Sequence, residues 1–369
     1  MRIAIDIRES LGHKTGKGWY TFVMVKELIK QAPHHEFLLY THEKNPVYEK
    51  YPNAAQKVIP YKGMRWHLAV LRDLRKKKPD LFWAPTSYII PALAPRSLNV
   101  MITVHDIVAF LFPEGHNKKA VWLERLTLRR AVAKARHIFT VSRNTKTDLM
   151  KMFDVPEAKM SITPCAASSI FKPLTTSSSD LETRNKVRAK YNLPPRFILA
   201  VGTLSPRKNF ARLIRAYAHL LTKHRETHLV IVGPKGWNFD ELERFEESDK
   251  VHFLGYVDGE DMAALYSLAA LFVFPSLYEG FGMPPLEAMA CGCPVVTSNT
   301  SSLPEVAGNA AMLVDPYNVE EMAGAMDLVL TNRYVAHDLK EKGLERAGKF
   351  SWKESARNVL EEVGRLLSS

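Results

Sequence analysis

The 369-residue chain has only three cysteines, Cys165, Cys291 and Cys293, with no Cys-x-x-Cys pair among them. That excludes a disulfide framework and leaves reduced, structural thiols. No apolar run approaches a membrane span, and residues 1–6 lack the apolar core of a signal peptide, so the expected location is cytoplasmic. Low-complexity blocks are absent. With 46% hydrophobic and 24% charged residues the composition is globular. The length exceeds a comfortable single core and implies two domains. Asp-x-Asp occurs at no strand end, and His105-Asp106 has no second close carboxylate pair beside it. No metal site is therefore expected, and no cofactor.

Acidic residues are scarce in the first half. Residues 1–170 hold 28 Lys and Arg against 14 Asp and Glu, whereas residues 171–369 hold 23 against 25, so the formal charge of +12 comes from the first half. Two segments concentrate it. One is Arg72-Asp73-Leu74-Arg75-Lys76-Lys77-Lys78; the other is a helical pattern over residues 117–136, where Arg125, Arg129, Arg130 and Lys134 accompany Trp122, Leu123 and Leu126. Such faces suit an anionic membrane surface or a lipid-linked, phosphorylated acceptor, and equally a solvated surface. Peripheral contact with the inner face of the plasma membrane is one expectation. Neither segment matches a helix-turn-helix, zinc or RNA-recognition pattern, so nucleic acid is not an expected partner.

What the chain does contain is a repeated alternation of short apolar runs with helical patterns. Strands are expected at residues 2–7, 36–40, 81–84, 98–104, 137–141, 197–202, 229–233, 251–255, 271–274 and 294–297, which argues for doubly wound α/β domains. In such sheets ligands sit beyond the carboxyl ends of the strands, and several chemistry-bearing groups fall there. The first strand leads into a loop with Gly16-Lys17-Gly18 and a helix over residues 19–31. The strand ending at Val104 delivers His105 and Asp106. Ser142 reads as the N-cap of a helix running to residue 152. The run at 197–202 is followed by Thr203, then Arg207-Lys208 and Asn209, an expected N-cap, before a helix whose buried stripe is Leu213, Ile214, Tyr217, Leu220 and Leu221. Arg207, Lys208 and the helix dipole are placed to converge on one anion.

The strongest stretch is Glu279-Gly280-Phe281-Gly282-Met283-Pro284-Pro285-Leu286-Glu287. It follows a buried strand, loops through two glycines and opens a helix ending near Gly292. The glycines admit close backbone approach, and the helix start offers amide donors to anionic oxygens, so a diphosphate fits. Glu279 and Glu287 bracket the loop. Their natural partners are hydroxyl donors, such as those of a sugar and a ribose. Each motif also has a plain reading: a carboxylate at a helix start, a solvated loop glutamate, a structural His-Asp pair, a simple turn.

Together these motifs resemble retaining glycosyltransferases of family 4, and the match runs over almost the whole chain in the family's order. The Glu, seven residues, Glu spacing around Gly-Phe-Gly is the family's signature. The resemblance implies the GT-B fold, two Rossmann-like doubly wound domains facing a central cleft. It puts the donor sugar at Glu279, Phe281, Gly282 and Met283, the ribose at Glu287, the diphosphate at Arg207 and Lys208, the base near Tyr256 and Val257, and places Gly16 and Gly18 facing the donor phosphates. Relatives often carry another arginine where this chain has Thr203. Residues 103–113, with the His-Asp pair, resemble family 4 mannosyltransferases of bacterial surface polysaccharides, and the resemblance makes His105 a sugar-positioning candidate. The expected activity is therefore metal-free, retaining transfer of a hexose, mannose from GDP-mannose foremost, to a glycan or lipid-linked acceptor. A UDP-sugar donor is the nearest alternative. Further ones are an epimerase, hydrolase or phosphorylase on the same fold and a non-catalytic nucleotide- or polyanion-binding module.

The expected domains are residues 1–173 on the acceptor side, a linker over 174–192, a donor domain over 193–350, and a terminal helix over 351–369 packing back on the first. Ile170-Phe171-Lys172-Pro173 resembles the family's exit from the first domain, and Thr175-Thr176-Ser177-Ser178-Ser179 carries no periodicity.

Overall fold

The computed structural model describes residues 1–12, 16–113, 118–236, 242, 245 and 248–368. The chain forms two compact units: Met1–Cys165 with Ser351–Ser369, and Ala166–Phe350. The residues expected as a linker contain the helix Ser178–Lys190, capped by Ser177, whose hydroxyl accepts from the Asp180 N–H. This helix buries only Val187, so it has no apolar stripe to announce it.

The first unit holds a seven-stranded sheet: β1 (Arg2–Asp6), β2 (Glu36–Thr41), β3 (Ala54–Val58), β4 (Leu81–Ala84), β5 (Val100–Val104), β6 (His137–Thr140) and β7 (Met160–Ile162). Its order is β3-β2-β1-β4-β5-β6-β7, and all pairings are parallel. β4, β5 and β6 are buried along their whole length, as strands covered on both faces must be. The helix Trp352–Ser368 belongs to this unit, where it packs against the helix Gly16–Gln31. The expected helix over 117–136 is Lys118–Lys134; Asn117 lies outside the described residues.

The second unit holds a six-stranded parallel sheet of order β10-β9-β8-β11-β12-β13, made by β8 (Arg196–Val201), β9 (Thr227–Val232), β10 (Val251–Gly255), β11 (Leu271–Phe274), β12 (Val295–Ser298) and β13 (Met312–Val314). One apolar cluster packs each face, around Leu213, Tyr217, Met322 and Met326 on one side and Tyr266, Leu265, Met289 and Ala288 on the other. Strand order reverses beside β1 in the first unit and beside β8 in the second. A crevice at the carboxyl edge forms where the order reverses, so β1/β4 and β8/β11 mark where a ligand would sit in each unit.

Candidate functional site

In the second unit the loops after β8 and β11 meet at that reversal. After β8 the chain makes a short turn, Pro206–Lys208. The Leu277 amide donates to the Arg207 carbonyl at 2.9 Å, tying this turn to the loop after β11. Arg207 Nη1 lies 2.7 Å and Lys208 Nζ 2.6 Å from Glu279 Oε1. Arg207 also donates to the Tyr278 carbonyl. The Lys208 ammonium lies 4.5 Å from the Phe274 ring centroid. Its stem passes Gly202 so closely that a Cβ there would meet Lys208 carbons at 3.2 Å. Two cations thus share one carboxylate, leaving a net positive charge at the strand ends. Burial would raise the Glu279 pKa, but Lys208 and Arg207 outweigh it and hold the carboxyl below its usual range.

Asn209 stands at the N-cap of the helix Phe210–Leu220 but does not cap it with its side chain, which corrects the sequence expectation. Its backbone is left-handed, and its amide instead donates to the carbonyls of Pro275, at 3.1 Å, and Pro316, at 2.7 Å. Asn209 therefore fastens the basic turn to the neighbouring loops.

Gly282 is the N-cap of the helix Met283–Ala290 with φ of 102°, a conformation that favours glycine. A helix's leading amides have no intrahelical acceptors. Pro284 and Pro285 lack an N–H, so the donors this start can offer are those of Gly282 and Met283. The loop before it is held by its neighbours. The Glu279 amide donates to Ser301 Oγ at 3.0 Å, and the Ser302 hydroxyl lies 2.9 and 2.8 Å from the carbonyls of Glu279 and Phe281. A hydroxyl has one proton, so it serves these two carbonyls in turn. Glu287, one turn into the helix, accepts from Tyr266 at 3.1 Å. Burial pushes the Glu287 carboxyl up to about 7, the tyrosine bond opposing it. Thr203 is half-buried beside the basic turn, Tyr256 is exposed just past β10, and Val257 is buried.

The first unit holds the other expected residues. Gly16 and Gly18 lie in the first turn of the helix Gly16–Gln31, not in a loop ahead of it. Glycine costs a helix about 1 kcal/mol, and Gly18 is buried. His105 is buried at the end of β5; its Nε2 lies 2.8 Å from the Pro85 carbonyl and the Tyr20 ring meets it edge-on at 4.7 Å. A carbonyl only accepts, so Nε2 carries the proton and Nδ1 is the acceptor. Burial, aided by Lys17, lowers the His105 pKa to about 4, so the ring is neutral. Asp106 pairs with Lys17 at 3.2 Å and accepts from the Val108 amide at 3.1 Å. The expected residues therefore form two groups, one in each unit.

Sequence reading missed Tyr266, Ser302 as a brace, Arg346 and Phe350, whose contacts with Glu287, with Glu279 and Phe281, with Val306 and Glu305, and with Phe281 respectively all join residues at least 21 apart in the chain. Ser302 falls in Ser301-Ser302-Leu303-Pro304-Glu305-Val306, which reads only as a family-like loop and does not announce a contact across loops. Among the described residues no three His, Cys, Asp or Glu side chains cluster as metal ligands, and no helix is long and apolar enough to cross a membrane.

Residues 15–168 match the family model for Glycosyltransferase Family 4, and residues 183–346 match that for Glycosyl transferases group 1. The O-antigen chain mannosyltransferase B of Escherichia coli is 35% identical over 285 residues, covering 76% of this chain and 72% of that protein. The serotype-specific mannosyltransferase WbdA of Escherichia coli is 31% identical over 278 residues, or 72% of this chain, which spans only 33% of that longer protein. Among solved structures, Anabaena HepE in complex with UDP and glucose superposes with a TM-score of 0.78 over 99% of this chain and 100% of that one, at 18% identity. With the two parallel sheets and the loops at their carboxyl edges, these likenesses show that the chain belongs to glycosyltransferase family 4 and has the GT-B fold.

Proposed function

We propose that this glycosyltransferase takes mannose from GDP-mannose and transfers it, with retention, to a glycan or lipid-linked acceptor in surface polysaccharide or glycolipid synthesis. The observation that carries the reading is the convergence of Arg207 and Lys208 on Glu279, three residues before the helix start at Gly282. A diphosphate seated there meets two cations and two amides. The mannose donor is supported by the relatives named as mannosyltransferases.

As the bond from the anomeric carbon to the diphosphate breaks, its electron pair stays on the leaving oxygen. Arg207, Lys208 and the helix start stabilise the charge that develops there. They supply the potential a divalent cation would otherwise provide, so turnover is proposed to need no metal. The acceptor oxygen bonds to the anomeric carbon on the same face, and its proton passes to a diphosphate oxygen. Attack by Glu279 is the rival route. A carboxylate whose Oε1 is held by both cations is a poor nucleophile, which favours the same-face route. His105 is proposed to position a sugar hydroxyl, and Glu287 to accept from the ribose.

The basic first unit is proposed to rest on anionic lipid. Along and just before the helix Gly63–Lys77, Tyr61, Met64 and Leu68 are exposed, followed on the same helix by exposed Arg72, Arg75 and Lys76. Apolar side chains with basic neighbours fit an interfacial helix.

Calorimetric titration with GDP, UDP and ADP tests the donor. Selective GDP binding, at least tenfold weaker in Glu287→Ala, is expected. Selective UDP binding would overturn the mannose donor, and binding of none would overturn the nucleotide-sugar site.

A further inference from the structure

The donor loop has a second support that the motifs do not include. The Phe281 side chain, within the Gly280-Phe281-Gly282 loop, is 6% exposed, and its ring meets that of Phe350 edge-on, with centroids 5.6 Å apart and planes at 85°. Phe350 lies under the Arg346 guanidinium at 4.9 Å. Arg346 in turn donates through Nε to the Val306 carbonyl at 2.8 Å and through Nη2 to the Glu305 carbonyl. These carbonyls belong to the helix Leu303–Ala307, whose first residue, Leu303, is fully buried with Cδ2 only 2.7 Å from where a Cβ on Gly282 would stand. Ser302, one residue earlier, holds the carbonyls of Glu279 and Phe281. Residues 279–282 are therefore seated on residues 301–303 from one side and on Phe350 from another, and Arg346 joins the two supports.

We infer that Phe350, backed by Arg346, is a positioning residue that sets the Phe281 loop for the sugar end of the donor. This rests on reading residues 279–283 as the donor loop. The ring contacts of Phe350 run to Phe281 and Arg346, so its effect is expected at the sugar end. An edge-to-face pair fixes ring orientation as well as burying area, and leucine at 350 would keep the apolar contact but lose that orientation. Phe350 is also the last residue of the second unit before the chain returns to the first at Ser351. The loop is thus anchored one peptide bond from the crossover.

The test compares wild type, Phe350→Leu and Phe350→Tyr in three measurements: steady-state kinetics with GDP-mannose, calorimetric binding of GDP alone, and amide hydrogen exchange of residues 279–283 in the ligand-free protein. Phe350→Leu is expected to raise the donor KM five- to thirtyfold, leave the GDP Kd within twofold, and speed exchange of the loop at least threefold. Phe350→Tyr, which keeps the ring, should restore all three to within twofold of wild type. Equal losses for GDP and GDP-mannose would assign Phe350 a purely structural role and overturn the inference. Unchanged loop exchange in Phe350→Leu with an active wild type would sink the positioning role alone. A wild type that binds neither GDP nor GDP-mannose would instead sink the donor reading on which it rests, whatever the exchange rates.

Discussion

Glu287 combines burial with a single hydroxyl partner, Tyr266, and its carboxyl is pushed up to about 7. A ribose hydroxyl donates more strongly to an ionised carboxylate than to a neutral carboxyl, so nucleotide binding through Glu287 should strengthen as pH rises through about 7. The sign is opposite for folding. A carboxyl whose pKa is raised by the fold costs stability once pH exceeds the unfolded value, and that cost is complete above the folded one. Nucleotide Kd measured from pH 6 to 8 should therefore fall while ligand-free stability also falls, and both trends should vanish in Glu287→Gln. A Kd that is flat over this range in wild type would remove Glu287 from the ribose contact. Glu279 is the reverse case. Its burial is just as deep, yet two cations hold it ionised, so its charge serves to orient Arg207 and Lys208 across the whole of that range.

At the scale of elements, the helix Met283–Ala290 begins where it does because Gly282 adopts a φ of 102° against Leu303. Alanine there would take a conformation costing about 1–3 kcal/mol and would also press its Cβ on Leu303. Gly282→Ala should lower the free energy of unfolding by that amount in denaturant titration and raise the donor KM; stability within about 0.5 kcal/mol of wild type would mean that Leu303 yields freely. The same loop shows what the sequence discloses. Strand, two glycines, two prolines and bracketing glutamates all lie between Leu271 and Glu287, seventeen residues, so local spacing suffices to read them. β4, β5, β6 and β11 are equally legible because parallel strands buried on both faces are continuous apolar runs. β3, Ala-Ala-Gln-Lys-Val at a sheet edge, and the three-residue β7, Met-Ser-Ile, have no such run and leave no trace; β13, Met-Leu-Val, does end an apolar run, residues 310–314, which the sequence reading passed over. Ser302, Tyr266 and Phe350 act through contacts 21 to 69 residues away. No periodicity encodes such pairings. Gly16-Lys17-Gly18 reads as a turn because Gly-x-Gly usually is one, whereas it forms the first turn of a helix.

At the scale of the whole molecule, the charge asymmetry of the sequence falls largely on the first unit, and its exposed faces bear on how an acceptor is met. Basic side chains near an anionic surface contribute about 1 kcal/mol each. Replacing Arg72, Arg75 and Lys76 with Gln should therefore weaken sedimentation with phosphatidylglycerol vesicles by roughly a hundredfold, and high salt should do the same to wild type. Equal partition into neutral vesicles would contradict the proposed lipid contact while leaving the donor chemistry untouched.

The proposed chemistry turns on two side chains, Arg207 and Lys208, stabilising the departing diphosphate. The most direct measurement is turnover of GDP-mannose by wild type and Arg207→Ala in the presence of EDTA. Charge-assisted hydrogen bonds contribute about 1.5–3 kcal/mol each, so kcat/KM should fall about ten- to a hundredfold or more, with wild-type activity insensitive to the chelator. Turnover of Arg207→Ala within twofold of wild type would contradict the account.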